Sequence, residues 1–488
     1  MGIPAGDPPP SADAPSPEES GQIAYLQSVV LEQAQLIEKL GLEIVELRAR
    51  LGMNSRNSSK PPSSDGYVKP APKSRRVRSG KKPGKQPGDP GHHLAQRLDP
   101  DAVSLHVPVS CGRCGRDLDG AAVSGVSTRQ VFDLPAVRLT CTEHRAEHRR
   151  CACGAETTAA FPKEATAPAA YGPSLRAYVA YLVTRQHIPV ARVAELLRDS
   201  FGAEVSTGAI VAMVKEGAAG LAGFLEEVRC LMRDQPVVHA DETGLRVDAH
   251  LRWVHAVSTG DLTYFELNAR RGFAAMEDIG VFGHLSGVLV HDGWGAYRIY
   301  DNVTHALCNA HHLRELDAAA ETATQDWAAD MATLLSDTWH QVLDAKAAGR
   351  SALSPKDLAR LRADYAQIIA AGHRANPPLK ATKSPGRTAK SKAHNLVLRL
   401  DTHAEAVLRF AGDFAVPFDN NLCERDIRMV KIAQKISGGF RSHQGAEAFL
   451  AFRSYLSTAA KQGVNRLSAL QQLFDGNPWM PAPARAGP

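Results

Sequence analysis

Three acidic residues stand in different local settings: Asp241 within PVVHADETGLR, Asp292 within GVLVHDGWGAY, and Glu424 within DNNLCERDIRMVK. Each aspartate follows an apolar, β-branched run, the pattern of a carboxylate at the exit of a buried strand. The glutamate reads as helical. Asp419 or Asn420 can cap the helix start, and Cys423, Ile427 and Val430 form an apolar stripe at i, i+4 and i+7. Two strand-end aspartates and a helix glutamate can converge to hold a pair of divalent cations, Mg²⁺ or Mn²⁺. Such a site activates water or a 3′-hydroxyl against a phosphodiester, so the expected chemistry is phosphoryl transfer. The competing reading of Glu424 is a solvated ion pair with Arg428 four residues on, worth roughly a few tenths of a kcal/mol. Cys308 and His311 form a CxxH pair, for which a structural or substrate-orienting role of His311 is expected rather than a second metal site. Trp294 either stacks on an unpaired base or belongs to the core.

The elements that must position these groups are legible in outline. Strands are expected at VVHA up to Asp241, LRWVHAVS, LTYFELNA and SGVLVH up to Asp292, with a short helix from Arg271. Hairpin-ordered strands followed by a helical crossover predict a mixed sheet. The chain then reads as helical from about Leu316 to Arg362, followed by the basic stretch PPLKATKSPGRTAKSKAHN. The distance from Asp292 to Glu424 exceeds what one crossover requires, so a helical insertion with a basic loop is expected to interrupt the domain. Upstream, residues 161–232 carry apolar residues at helical spacing. The Phe201-Gly202 break with Ser206 or Thr207 as cap suggests a helix, a turn and a second helix, either a DNA-groove reader or a plain connector.

The N-terminal third differs in kind. Residues 1–20, rich in Pro, Ser, Ala and acid, are expected to be disordered. Over 21–52, Ile23, Val30, Ile37, Ile44 and Leu51 recur every seven residues, with Leu26, Gln33, Leu40 and Leu47 at the matching d positions. This is the preference of a parallel two-stranded coiled coil, so a homodimer or higher oligomer is expected; the alternative is a helix packed on its own chain. Over 53–100 lies a basic arm containing Lys69, Lys73, Arg75, Arg76, Arg78, Lys81, Lys82 and Lys85, with no acid between the first and last of these. Its natural partner is nucleic acid through counterion release, the alternative being a solubilising linker. Net charge is only +5 over 488 residues, so the distribution of charge matters more than its sum.

Eight cysteines in a chain of this length do not make a disulfide scaffold. No stretch approaches the ~20 apolar residues of a membrane helix, and the N-terminus MGIPAGDPPP has neither a basic nor an apolar leader segment, so a reduced, cytosolic protein is expected. Cys111 and Cys114 in CGRCG and Cys151 and Cys153 in CACG are each followed by Gly, which permits a tight turn with backbone amides facing sulfur. Two such knuckles predict a structural Zn²⁺ site over 101–160. His148, Cys141 and His144 also lie near enough in sequence to enter the ligand set.

The segments HADETGLRV, LSGVLVHDGWGAY, CNAHHLREL and NNLCERDIRMVKIAQKISGGFRSHQGAEA resemble, in that order, the catalytic region of IS66-family transposases. The resemblance runs from NSRNSSKPPSSD near position 54 to STAAKQGVN near 457. It implies a ribonuclease-H-like catalytic domain whose Asp, Asp, Glu triad falls on Asp241, Asp292 and Glu424. It also implies a small zinc-binding domain, although the one-residue spacer of CACG departs from the usual two. The expected architecture is therefore multidomain α+β. In it a coiled-coil helix, a basic arm and a zinc-binding domain precede a helical domain (161–232) and a catalytic core (233–320). A helical insertion (321–400), C-terminal helices carrying the Glu (401–478) and a tail (479–488) follow. The implied activity is a bacterial, nucleoid-associated DNA transposase that cuts and joins transposon ends and target DNA, with accessory element-encoded proteins as further candidate partners. Arg425, Arg428 and Lys431 would meet substrate phosphates. The alternatives are a nuclease of the same fold that cuts without joining, and a non-enzymatic DNA-binding repressor derived from such an element.

Overall fold

A computed structural model describes residues 17–51, 84–85, 88–89, 94–134, 137–165, 167–323, 325–377 and 391–482. Most of the expected disordered N-terminus, the basic-arm residues Arg75, Arg76, Arg78, Lys81 and Lys82, and the basic loop at 378–390 lie outside the described residues. Helix α1 (Pro17–Leu51) carries the heptads and starts inside the segment expected to be disordered. Its apolar positions Ile23, Leu26, Val30, Ile37, Leu40, Ile44 and Leu47 are all exposed.

Among the described residues of the cysteine region, β1 (His148–Arg150) pairs antiparallel with β2 (Glu156–Thr158), and Ser110 bridges Asp117. Val103, Leu105, Val107, Val109 and Phe161 around it remain exposed. A stretch that buries so little apolar surface needs another source of stability, such as a metal or a partner surface.

Four helices follow: α2 (Pro173–Ala180), α3 (Val190–Phe201), α4 (Thr207–Ala219) and α5 (Ala222–Arg233). Gly202, at φ 65°, ends α3 in the left-handed conformation. Ser206 then caps α4 by accepting the Ala209 N–H at 3.1 Å. Lys215 and Glu216 are exposed on α4, and Glu216 pairs with Arg176 of α2.

The central sheet contains β3 (Val237–Val247), β4 (His250–Ser258), β5 (Thr263–Asn268), β6 (Val288–His291) and β7 (Thr304–Leu307), with helix α6 (Phe273–Ile279) between β5 and β6. The strand order is β5-β4-β3-β6-β7; the first three are antiparallel, and β6 and β7 run parallel to β3. The mixed sheet expected from hairpin order is formed. Alternation divides its side chains between two cores. Val238, Ala240, Val257 and Tyr264 pack with Phe224, Val228 and Met232 of α5 and Met276 and Ile279 of α6. On the other face Leu245, Val247, Val254, Ala256, Phe265 and Leu267 lie under Cys423, Ile427 and Val430 of α12 (Asn421–Ser437) and Phe449 and Leu450 of α13 (His443–Lys461).

Between β7 and α12 the chain builds α7 (Asn309–Ala323), α8 (Asp326–Ala347), α9 (Pro355–Ala375), α10 (Lys392–Thr402) and α11 (Ala404–Gly412) around a separate core of Trp327, Met331, Leu335, Tyr365, Val397, Leu400 and Phe410. This core also includes Leu316, Val407 and Phe418, on either side of residues 321–400. Helix α14 (Arg466–Phe474) closes the described fold.

Gly287, one residue before β6, lies against the start of β3. An added Cβ would sit 2.4 Å from the Gln235 carbonyl oxygen and 2.6 Å from that of Pro236, and backbone cannot swing aside as a flexible side chain can. Gly287→Ala should therefore lower stability by about 1–3 kcal/mol in urea denaturation; a loss within experimental error would show that the two strands can part there at no cost.

Candidate active site

The parallel register of β3 and β6 sets Asp241 and Asp292 at the same level on adjacent strands. Val237 lies opposite Val288 and His239 opposite Val290, and continuing that register by two residues sets Asp241 level with Asp292. Val290 is likewise opposite Ala306 and His291 opposite Leu307, which brings Cys308 to the same level at the end of β7. Asp292 is a strand-end residue, as expected. Asp241 is not: β3 continues through it to Val247, and only its pairing with β6 stops there. The site thus forms where β6 and β7 end and β3 continues alone with β4.

Glu424 is brought to this edge by Asn420. The Asn420 side chain donates to the Ala240 carbonyl at 2.8 Å and accepts from His239 Nδ1 at 2.8 Å, while its backbone N–H donates to Cys308 Sγ at 3.2 Å. One residue therefore pins the start of α12 to both β3 and β7. The capping role falls to Asp419, whose Oδ1 accepts the Asn421 N–H at 3.0 Å. Glu424, in the first turn, then faces His311 Nδ1 at 3.8 Å and Arg314 Nη2 at 3.7 Å, both from α7. It is not paired with Arg428, which is exposed. Further along α12, the partly buried Asp426 accepts from Ser258 at 2.8 Å, Thr263 at 3.0 Å, Ser457 at 3.2 Å and Lys461 at 2.8 Å, tying the helix to β4, β5 and α13.

Electrostatically, Asp241 is crowded by other acids. Burial, followed by the charges of Glu242, Asp292 and Glu424, holds the Asp241 carboxyl well above the usual carboxylate range. Its Oδ1 has one donor, the Glu242 N–H at 2.9 Å. One oxygen of Asp292 is spent on its own turn, accepting the Trp294 N–H at 2.8 Å. Glu424 Oε1 and His311 Nδ1 are buried and have no hydrogen-bond partner. Asp241, Asp292 and Glu424 act on one another electrostatically, and their oxygens are the donor type that Mg²⁺ or Mn²⁺ takes, but the three are not gathered within 4.8 Å of one another. Among the described residues, the set of three or more candidate ligands with atoms within 4.8 Å of one another is Cys308, His311 and Glu424, so tertiary structure gives the CxxH pair a third member that its sequence neighbourhood lacks. Burial pushes the Cys308 thiol up to about 12, which keeps it protonated.

Several residues around the site carried no readable sequence signal. Glu242, on the opposite face of β3 from Asp241, is neutralised by Arg271 and accepts the Tyr297 hydroxyl at 2.7 Å. Arg271 is held between the rings of Trp253 (5.0 Å) and Trp294 (4.2 Å), so the outer face of Trp294 is already covered by a guanidinium. His291 accepts the Gly293 N–H at Nδ1 and donates from Nε2 to His305 Nδ1 at 3.1 Å, and His305 Nε2 donates to the Tyr300 carbonyl at 3.0 Å. This relay fixes the tautomers and stiffens the end of β6; burial, then His305, lowers His291 to about 3. Arg314 and Arg399 approach from the inserted helices, Arg399 paired with Glu315 and acting on Asp292.

The other sequence candidates lie elsewhere. Arg425 is exposed on α12, while Lys431 is half-buried and donates to the Gly244 carbonyl at 2.7 Å, a tie between helix and strand. Each cysteine pair sits at a tight backbone turn. The Cys111 N–H donates to Arg116 O at 2.8 Å and Gly115 N–H to Cys111 O at 2.9 Å; the Cys151 N–H donates to Ala155 O at 2.8 Å and Gly154 N–H to Cys151 O at 2.9 Å. Gly115 (φ 72°) and Gly154 (φ 89°) supply the left-handed turns. The Cys114 amide draws the Cys111 thiol below its ordinary range, and the Cys153 amide does the same for Cys151. The two turns are not gathered into one ligand cluster.

No single helix among the described residues is long and apolar enough to cross a membrane. A family of unknown function (DUF6444) matches residues 7–95. A search of curated proteins gives no match. The model of the transposase IS66 family matches residues 168–448, more than half of the chain, spanning the sheet, the inserted helices and α12. The chain belongs to the IS66 family of transposases.

Proposed function

We propose that this chain cuts and joins DNA ends by phosphoryl transfer at Asp241, Asp292 and Glu424, on a sheet of ribonuclease-H type. Family membership supports a transposase-type enzyme with DNA as its partner. The observation that carries the finer reading is the level register of Asp241 and Asp292, with Glu424 pinned over the same edge by Asn420. The strand order, three antiparallel strands followed by two parallel to the first, supports the ribonuclease-H assignment.

Asp241, Asp292 and Glu424 would hold the divalent cations. When bound, such ions supply charge neutralisation at the phosphodiester and acidify the attacking hydroxyl. The protein's own groups do the positioning. The Asn420 clamp fixes Glu424, and Arg271 and Tyr297 occupy Glu242 so that it does not compete for the site. Neutral His311 offers an unpaired Nδ1 to orient substrate. Hydrolysis at the element end breaks a P–O bond and leaves a 3′-hydroxyl. That hydroxyl attacks a target phosphodiester, forming one P–O bond and releasing one target 3′-hydroxyl. Arg425 and Arg428 are exposed on the same helix and would meet backbone phosphates. The two cysteine turns, which stand apart in the structure, would have to close on each other to share a structural Zn²⁺, which would then stabilise a segment that buries little apolar surface. The exposed heptad stripe of α1 would pair with a second copy, bringing two active sites to two DNA ends.

The deciding experiment supplies pre-cleaved 3′-hydroxyl ends and a target plasmid with Mg²⁺. A joined product is expected; cutting without joining would reduce the reading to a nuclease. Cation binding has its own signature. In metal-free buffer at pH 8, Mn²⁺ should raise the melting temperature by about 2–4 °C or more. The shift should shrink as the pH is lowered, because the raised Asp241 carboxyl takes up its proton earlier than an ordinary carboxylate and a cation then has less charge to neutralise. A shift independent of pH would place cation binding elsewhere, and no shift at pH 8 would argue against a cation site in the folded chain.

A further inference from the structure

On the flank of α12 away from Glu424, buried positive charge collects without an acid to meet it. Arg453, in the middle of α13, is only 4% exposed, yet its Nε and Nη1 have no hydrogen-bond partner. His187 is 9% exposed and neither ring nitrogen has a partner; its ring lies 5.7 Å from that of Phe449, one turn before Arg453 on α13. Arg185 ends a π-helical turn (Tyr181–Arg185) that follows α2, and Arg466 begins α14. The four groups share one electrostatic environment: Arg185 acts on His187, Arg453 and Arg466, and Arg453 acts on His187. Asp426 attracts Arg453, but its oxygens already accept from Ser258, Thr263, Ser457 and Lys461. Among the described residues none of the three arginines forms an ion pair with a carboxylate.

A guanidinium buried with two partnerless nitrogens is costly unless something supplies an acceptor. Burial, reinforced by Arg185 and Arg466, lowers the Arg453 guanidinium only to about 10, so it remains cationic at neutral pH. The local backbone is also unusual. The π turn is the kind of helical irregularity that recurs at functional sites, and His187 follows it at φ 57°, a left-handed conformation uncommon for a residue other than glycine. Arg185 and Arg466 are partly exposed, so a ligand can reach the cluster from solvent. The Arg185 guanidinium also lies 4.0 Å from Met429 Sδ on α12, which joins the cluster to the helix that carries Glu424.

We propose that Arg185, His187, Arg453 and Arg466 form a pocket for a phosphate-class oxyanion, filled by one backbone phosphate of DNA running along α12. Guanidinium forks match the tetrahedral oxygens of phosphate, and the neutral imidazole adds one N–H donor. Assigning the oxyanion to DNA rests on the transposase reading; the pocket itself does not.

The test uses the full chain in EDTA, so that the acidic edge is silent. Thermal melting with inorganic phosphate is compared with chloride at matched ionic strength, and binding of a labelled DNA duplex is measured by fluorescence anisotropy across a salt series. Phosphate should raise the melting temperature of the wild-type chain beyond chloride. Arg185→Gln, at the partly exposed rim, should lose that shift, weaken DNA binding about tenfold and reduce the salt slope by about 1. Arg453→Met should do the same; if it does not fold, Arg185→Gln and Arg466→Gln still decide the question. Wild-type melting that treats phosphate and chloride alike, with an unchanged salt slope in the variants, would overturn the pocket. A phosphate shift lost in the variants while their DNA binding is unaltered would keep the pocket, assign it to free phosphate and overturn the DNA assignment. A wild-type chain that responds to phosphate but binds no DNA would defeat the transposase reading and leave the pocket standing.

Discussion

Asp241→Asn should abolish divalent-cation-dependent cleavage and strand transfer, a loss of about a thousandfold or more, while DNA retention in a filter-binding or anisotropy assay stays close to that of the unaltered chain. The asymmetry follows from placement. Asp241 is half-buried, crowded by other acids, and makes one hydrogen bond, which the Asn oxygen can still accept from the Glu242 N–H. The substitution also has an expected sign for stability. The carboxyl is raised in the folded chain above its unfolded value, so its ionised form opposes folding. That opposition is absent below the unfolded pKa, grows as pH rises through the folded one, and is fully present above it. In EDTA at pH 8 the Asn variant should therefore melt higher than the original, and the gain should fade toward pH 4. Parallel loss of DNA binding and catalysis would remove Asp241 from the chemical role. A variant less stable at pH 8 would contradict the electrostatic account of the acidic edge.

The largest expected stability effect is two residues beyond Glu424. Asp426→Ala should cost about 3–5 kcal/mol in urea denaturation. The carboxylate is mostly buried, and its loss strands the Lys461 ammonium, itself 16% exposed and otherwise held only by the Thr259 and Leu262 carbonyls at 2.8 and 2.9 Å. The hydroxyls of Ser258, Thr263 and Ser457 lose their acceptor at the same time. Removing both charges, as Asp426→Ala with Lys461→Met, should recover a substantial part of the loss, because most of it is the penalty of one unpaired buried charge. A single variant within about 1 kcal/mol of the original, or a double variant no better than the single, would show that this network does not hold α12 on the sheet. The consequence reaches function, since the same helix presents Glu424.

Both expectations concern residues whose sequence signals were unequal. Asp241 follows VVHA and reads as a strand exit, yet β3 runs six residues further. The reason is the turn that ends it. Asp248 and Ala249 adopt φ 50° and 59°, the geometry of a two-residue hairpin turn that Asn-Gly or Asp-Gly would have announced. With Asp-Ala in that place and Gly244 in the strand, the hairpin left no legible mark. Asp426 was equally silent, because an acid on a charged helix face looks solvated until the sheet beneath it is known. Arg453 and His187 became notable only once burial was known.

The residues by themselves determined the alternation that builds the mixed sheet, the apolar stripe that seats α12, the heptads of α1, the glycine turns at the cysteine pairs, and the family through long motifs in order. These are local properties: periodicity, turn chemistry and capping act over a few residues, so they can be read from a string. Tertiary structure alone decided that Asp241 stands level with Asp292, that Asn420 rather than a local cap delivers Glu424, that Glu424 meets His311 and Arg314 instead of Arg428, and that Glu242 is withdrawn from the site by Arg271. Strand register and buried charge pairing depend on segments far apart in the chain, and their energies exist only after water has been excluded from between them.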